Sequence, residues 1–262
     1  MSAAPIGLIA GSGRLPLLFA QAARRAGREV VVVAHEGETD PAMPAAAWVK
    51  IGQLGRIAEV LRKAGVSEAV LCGGIRKPKL FDMRPDWLGV KTLARLRSFG
   101  DDAALRAIAA ALEEQGVRIV SPLPLVPELL VARGPLGKRR FTDDQRADAL
   151  AGLAAARAIG LADIGQTVVV KRGVILAVEA VEGTDACIAR GGALGKEAVV
   201  VKARKPQQDE RFDVPAVGPR TVDACLSAGC AALAIEAGTT LVLDRGELAE
   251  KADRAGIAVE GI

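Results

Sequence analysis

The stretch Pro5–Ala34, PIGLIAGSGRLPLLFAQAARRAGREVVVVA, decides the fold. It opens on a short apolar run, Pro5–Ala10, with no polar alternation. A run of that length and kind reads as a strand buried on both faces. Gly11-Ser12-Gly13 then turns the chain into an apolar-periodic helix, Leu15–Ala26, closed by Gly27. Glu29–Ala34, EVVVVA, reads as a second buried strand. Strand, glycine turn, helix, strand is a right-handed crossover, and such units build a parallel sheet.

The pattern continues outward. A Pro- and Gly-rich loop leads to a helix at Gly55–Ala64, capped by Gly65, and to a third strand, Glu68–Cys72, ending in GGIRKP. Helical periodicity returns at Trp87–Phe99 and at Asp102–Gln115, ahead of VRIVSP. The basic, Pro/Gly-rich segment Arg133–Thr142, RGPLGKRRFT, reads as a linker. Thr142 caps a helix running to about Ile159. The second half then mixes elements. Thr167–Lys171 and Val174–Ala180 flank Arg172-Gly173 as a hairpin, and Ala198–Lys202, Ala231–Ile235 and Thr240–Leu243 read as strands. Helices are expected at Thr221–Ala228 and Glu247–Ala255. The chain is therefore read as α/β in two domains, residues 1–135 and 136–262.

With 262 residues and half of them hydrophobic, either domain can bury a core. Aromatics are 3%, with no Tyr, so Ala, Val, Leu and Ile must fill it. The net charge is +4, yet no Lys/Arg run is interleaved with stacking aromatics, which argues against nucleic acid. A mild basic balance suits an anionic small substrate or an anionic membrane surface. Four cysteines without a C-x-x-C pair, and a single His, argue against a structural zinc site or a disulfide framework. The N-terminus lacks a charged, signal-like region, and no apolar run approaches the roughly 20 residues of a spanning helix. No amphipathic basic helix announces a membrane face. A soluble, cytoplasmic protein is expected.

Gly11, Ser12 and Gly13, between strand and helix, suit backbone approach to a phosphate. The dinucleotide fingerprint would place a third glycine where Pro16 stands, although Glu36 offers an acid near the end of the second strand. A nucleotide or phosphate, a dinucleotide and a plain tight turn all stay open. Gly73-Gly74 closes a neighbouring strand, and Arg76 and Lys77 follow it.

Three acidic groups stand out. Asp101-Asp102 opens a helix, where one Asp is an ordinary cap. The stretch ILAVEAVEGTDA, Ile175–Ala186, gathers Glu179, Glu182 and Asp185 beside Thr184, with Glu179 read as lying inside the strand. Asp213 ends KPQQDERFDVP. Crowded carboxylates repel unless a cation offsets them, and hard oxygen clusters suit Mg²⁺ or Mn²⁺. The basic run Lys202–Pro206, with Arg211, supplies charge for an anionic substrate. Metal-assisted phosphate chemistry and a solvated strand end carrying surface ion pairs both fit these residues.

Six segments in order, IAGSGRLP, CGGIRKP, GDDAALR, DIGQ (Asp163–Gln166), VEAVEGTDA and KARKPQQDERFDVPAVG, resemble one family. It is the UDP-2,3-diacylglucosamine pyrophosphatases of lipid A synthesis that are unrelated to the calcineurin-like enzymes. The resemblance runs from about residue 6 to 244. It implies hydrolysis of the pyrophosphate of UDP-2,3-diacylglucosamine to UMP and 2,3-diacylglucosamine 1-phosphate, with water attacking the phosphorus next to the sugar. It further implies a divalent metal, Mg²⁺ (or Mn²⁺), a Rossmann-like N-terminal domain before a second α/β domain, a homodimer, and work at the inner face of the inner membrane. Carried onto this chain, Asp213 matches the family's essential aspartate. Asp185 and Glu182 join it as catalytic candidates, and Glu179, Glu182, Asp185 and Asp213 form the implied metal set. Gly11, Ser12, Gly13, Gly74, Asp101, Asp102, Gln166, Thr184, Lys202, Lys205, Gln208 and Arg211 are the implied substrate contacts. Arg14 departs from the small residues common in the family's glycine turn.

Two other readings stand beside this one. One is an NAD(P)-binding oxidoreductase of Rossmann type, for which no hydride-transfer partner stands out. The other is a non-catalytic nucleotide-binding module whose acids merely cap helices.

Overall fold

The computed structural model describes residues 4–75, 83–96 and 101–262, the side chains of 101 and 102 excepted. The chain divides into two compact units. The first is Met1–Pro127 together with Asp209–Asp213, and the second is Glu128–Gln208 together with Val214–Ile262.

The first unit holds a five-stranded parallel sheet. In chain order its elements are β1 (Ile6–Ala10), α1 (Leu15–Arg25), β2 (Val30–His35), β3 (Ala47–Val49), α2 (Leu54–Lys63), β4 (Glu68–Cys72), α3 (Trp87–Ala94), α4 (Asp101–Glu113) and β5 (Arg118–Ile119). The strands lie in the order β3-β2-β1-β4-β5. The order reverses at β1, which β2 flanks on one side and β4 on the other. Every residue of β1 is buried, because helices cover both faces of such a sheet. Ile9, Val33, Ile57, Leu61, Leu112 and Ile119 make one core with Phe212, which comes from the late segment that joins this unit. The loop expected between the second strand and the second helix contains β3, a strand of only three residues. The helix expected over Trp87–Phe99 ends at Ala94.

The second unit contains β6 (Gly134–Pro135), α5 (Asp143–Leu161), β7 (Thr167–Lys171), β8 (Val174–Val178), α6 (Thr184–Leu194), β9 (Val199–Lys202), β10 (Ala216–Val217), α7 (Pro219–Ala228), β11 (Ala232–Ile235), β12 (Leu241–Val242), α8 (Arg245–Ala255) and β13 (Ala258–Gly261). Its large sheet runs β6-β13-β11-β9-β7-β8, and β10 pairs with β12 in a small parallel sheet. Strands β9, β11 and β13 are parallel, while β7, β8 and β6 run antiparallel to their neighbours. Side-chain alternation splits two cores across this sheet. Val169, Val200, Leu233 and Ile235 face Ile188, Val222 and Leu248 of α6, α7 and α8. Val168, Val170, Val199 and Val201 face Ala149 and Ala156 of α5. With so few aromatics, close approach replaces bulk: a Cβ on Gly152 of α5 would stand 2.4 Å from Val201.

The segment read as a linker, Arg133–Thr142, is part of this unit. Gly134–Pro135 pairs with Glu260–Gly261 at the sheet edge, and Thr142 opens α5 in a reciprocal capping box with Gln145. Among the described residues no helix is long and apolar enough to cross a membrane.

Candidate active site

In the first unit the two glycine turns meet each other. At the reversal of strand order, Ser12 and Gly74 form a β-bridge. The Ser12 N–H donates to the Gly74 carbonyl at 2.8 Å, and so does the Ser12 hydroxyl, also at 2.8 Å. A Cβ on Gly11 would stand 2.5 Å from the Gly74 oxygen, and one on Gly73 would stand 2.3 Å from the Ser12 oxygen. Both glycines are therefore required by the passage of one backbone against the other, whatever the turn binds. A dinucleotide fits such a turn poorly, since the fingerprint glycines serve to admit a pyrophosphate. Pro16 takes a first-turn position in α1, where its missing N–H costs nothing. Gly13, with φ +89, has open space where its side chain would be.

Beside this turn lies the chain's single histidine. His35 Nδ1 is 2.9 Å from the Ala10 carbonyl, and the Thr39 hydroxyl donates to that same oxygen at 2.6 Å. Burial pushes the imidazole below its ordinary value, against the Ala10 carbonyl and Glu38, which raise it. Asp101 and Asp102 begin α4, but their side chains lie outside the described residues, as do Arg76 and Lys77 entirely.

Asp213 also belongs to this unit. Residues Asp209–Asp213 form a tight turn, the amides of Phe212 and Asp213 donating to the Asp209 carbonyl at 3.0 and 3.2 Å. Phe212 inserts into the core, only 8% exposed, while Asp213 is exposed. Asp209 accepts from both Nε and Nη2 of Arg211. The Arg211 side chain also lies 3.6 Å from Glu113, and Arg106 lies 3.5 Å from Asp209. The Arg211 contact holds the Asp209 carboxyl below its usual range. In this structure Arg211, expected as a phosphate contact, ties the turn to α4.

The second unit gathers a polar cluster where β7 begins, β9 ends and α6 begins. Lys202 and Glu179 are 7% and 8% exposed. Lys202 Nζ donates to the Thr184 hydroxyl at 2.9 Å, and that hydroxyl donates to Glu179 Oε1 at 2.9 Å. Thr167 Oγ1 lies 3.4 Å from Thr184 Oγ1, and the Gln166 amide donates to Glu179 Oε2 at 3.4 Å. The side-chain oxygen of Gln166 is buried without a partner among the described residues. A buried acceptor left in this state normally marks a place for a donor that the protein alone does not supply.

The DIGQ segment shapes this cluster. Asp163, at φ +54, holds Lys205 Nζ at 2.7 Å. Gly165 passes so close to Glu179 that a Cβ would stand 2.1 Å from the Glu179 carbonyl oxygen. Gln166 then enters the cluster itself. Asp163 and Gly165 carry the geometry, and only their place in the motif signals them. The amide of Lys205 donates to the side-chain oxygen of buried Gln208 at 3.2 Å.

The three acids of Ile175–Ala186 do not share one volume. β8 stops at Val178, so Glu179 follows the strand rather than lying inside it; its amide still donates to the Thr167 carbonyl at 2.8 Å. Glu182 pairs with Arg190 at 2.6 Å, and its own backbone amide, followed by Arg190, holds its carboxyl below the ordinary value. Asp185 lies 3.6 Å from Arg220, on an open groove of about 580 Å³ between α6 and α7 that Ala189 and Asp223 also line. Among the described residues no group of three or more His, Cys, Asp or Glu side chains could hold a metal. All four cysteines are buried; burial, with Glu179 adding to it, pushes the Cys187 thiol up to about 12, so no thiolate nucleophile is at hand.

Comparison with known proteins follows the same division. The model of the LpxI N-terminal domain matches residues 5–129, and that of the LpxI C-terminal domain matches residues 132–260. A curated relative, "UDP-2,3-diacylglucosamine pyrophosphatase LpxI" of Caulobacter vibrioides, is 37% identical over 271 aligned residues, covering 98% of this chain and 97% of the relative. Among solved structures, a GalE-like L-threonine dehydrogenase from Cupriavidus necator matches 43% of this chain and 36% of its own, at 16% identity and a TM-score of 0.27, which carries no argument about this chain.

Proposed function

The chain belongs to the LpxI family, and from that premise we propose that it hydrolyses the pyrophosphate bond of UDP-2,3-diacylglucosamine, giving UMP and 2,3-diacylglucosamine 1-phosphate in lipid A synthesis. The identity of 37% along nearly the whole of both chains carries the reading. The polar cluster of the second unit adds chemistry that suits it: a buried ammonium, a hydroxyl held between that ammonium and a carboxylate, and an amide oxygen awaiting a donor.

In this reading Lys202 offsets charge on a diphosphate oxygen, and Thr184 and Gln166 fix the orientation of the phosphate and its sugar hydroxyls. Lys205 and Gln208 shape the adjoining loop. Asp213 receives the proton of the attacking water, a role for which an exposed carboxylate on a firmly anchored turn is suited. Gly13 and Ser12 approach the nucleotide.

We also propose Mg²⁺ or Mn²⁺ as the required ion. A cage of protein carboxylates does not fit the described residues. Mg²⁺ commonly binds through substrate phosphates, water and one or two carboxylates, and Asp213 is the first candidate among these. Such an ion would neutralise charge on the diphosphate. Cytoplasmic location, association with the membrane that holds the substrate, and a homodimer complete the proposal.

The test is direct. Purified protein is mixed with UDP-2,3-diacylglucosamine and Mg²⁺, and UMP is measured with and without EDTA. Release of UMP that EDTA abolishes and Mg²⁺ restores is expected. Asp213→Asn is expected to lower kcat at least a thousandfold with an unchanged melting temperature, an order of magnitude typical for loss of a group acting at the reacting atoms. A wild-type rate in that variant would remove Asp213 from the chemistry.

A further inference from the structure

We propose that the first unit docks on anionic phospholipid bilayers through the outer face of α3. This inference deepens the membrane association in the proposed function by naming the surface, and its vesicle test is read without turnover, so either can fail while the other stands.

The helix has eight residues, Trp87–Ala94. Asp86 caps it, its carboxylate accepting from the Gly89 amide at 2.9 Å. Gly89 and Thr92 are buried, and Leu88 packs on the core. On the opposite side Trp87 is 81% exposed and Val90 46% exposed, and Lys91 and Ala94 are exposed with them. Steps of three and four residues place these four on one helical face. Exposed Arg84 and Arg95 stand at either end of the helix. The helix is also firmly seated: a Cβ on Gly89 would stand 2.1 Å from the Gly52 carbonyl oxygen, and Pro85 packs over Gly52.

Tryptophan is a costly residue to leave in water, and this chain has only two. Both are at the surface, since Trp48 on β3 is 40% exposed. Tryptophan favours the boundary between lipid headgroups and acyl chains, and flanking Lys and Arg favour anionic headgroups. Among the described residues, the two carboxylates nearest the helix are occupied. Asp86 faces the helix's own amide and that of Arg56, and Glu114 pairs with Arg95 at 2.9 Å. A second copy of the chain is a poorer occupant. An isologous contact on this face would bring Arg84 and Lys91 against the same cations of the other copy.

The full-length Trp48→Phe variant leaves Trp87 as the sole tryptophan reporter. It is mixed with vesicles of phosphatidylethanolamine and phosphatidylglycerol, and separately with phosphatidylcholine vesicles. A blue shift of emission and co-sedimentation are expected with the anionic vesicles only, and both should fade at high salt. Trp87→Ser and the double variant Arg84→Glu, Lys91→Glu are each expected to weaken binding by about fivefold or more, with an unchanged circular dichroism spectrum. Both are surface positions, so activity on detergent-dispersed substrate should be kept. Three outcomes overturn the proposal. They are the absence of a shift and of sedimentation on anionic vesicles, undiminished binding by Trp87→Ser, and a blue shift that follows protein concentration without lipid, which would assign the face to a second copy.

Discussion

The guanidinium of Arg211 lies 4.6 Å above the ring of Phe212. One residue of the pair is locked to Asp209 at the surface, and the other is sunk in the core of the first unit. Asp213 follows immediately, so its backbone is fixed from two sides.

Phe212→Ala should therefore do two things. It should destabilise the protein by about 3–5 kcal/mol, as for other buried phenylalanines. It should also lower kcat for UMP release more than KM changes, because Asp213 loses its anchor. Phe212→Leu should recover most of both, within about 1.5 kcal/mol of wild type. Denaturant unfolding and steady-state kinetics on the same samples check this. A fully active Phe212→Ala would separate the anchor from the chemistry.

Glu179→Gln distinguishes an internal partner from a metal ligand. Glutamine can still accept from Thr184, but it removes the negative charge that the Thr184 hydroxyl links to Lys202. A fall in kcat of about tenfold is expected, with no change in the Mg²⁺ concentration for half-maximal rate. A marked rise in that concentration would instead make Glu179 a ligand.

The two glycines of the first turn should respond differently. Gly11→Ala drives a Cβ to 2.5 Å from the Gly74 oxygen, and about 3 kcal/mol of stability should be lost as the loops part. Gly13→Ala meets no atom and should cost about 1–2 kcal/mol for its left-handed backbone alone. If Gly13 approaches the nucleotide, KM should rise several-fold in this second variant. An unchanged KM would remove Gly13 from the contacts.

His35 predicts a pH effect. Its folded pKa lies below the ordinary value of 6.5, so the unfolded chain binds the proton more readily. Stability is full above about pH 6.5 and falls as pH drops from there toward the lower folded pKa. His35→Gln should flatten this part of the curve. Melting temperatures of both proteins at about pH 7.5 and pH 5.5 test it. Parallel curves would assign the acid sensitivity to other groups.

Much of this fold was legible in the chain. Strands β1, β2 and β4 are buried on both faces, so each reads as an unbroken apolar run between glycine turns. Strands β3, β5, β6, β10 and β13, of two to four residues each, show no readable period, whereas β9, β11 and β12 are as short but lie in longer apolar runs. Gly134-Pro135 reads as a linker because proline and glycine are also tolerated at a sheet edge.

The candidate site was legible as residue types and not as geometry. The sequence marks Glu179, Thr184, Lys202 and Gln166, and the fold brings them together. Glu182 and Asp185, marked beside them, were claimed by Arg190 and Arg220, partners no local spacing reveals. A lone phenylalanine amid the charges of Gln207–Asp213 was the available clue to the anchor. In a chain with so few aromatics, each one that is buried has a large effect.

The excursion of Asp209–Asp213 bears on how this protein can be recombined. The polypeptide passes between the two folded units three times, at 127/128, 208/209 and 213/214. A chimera joined once near residue 130 would graft one homologue's aromatic plug into another homologue's socket. Hybrids that exchange five residues along with the first half should fold where single-crossover hybrids fail.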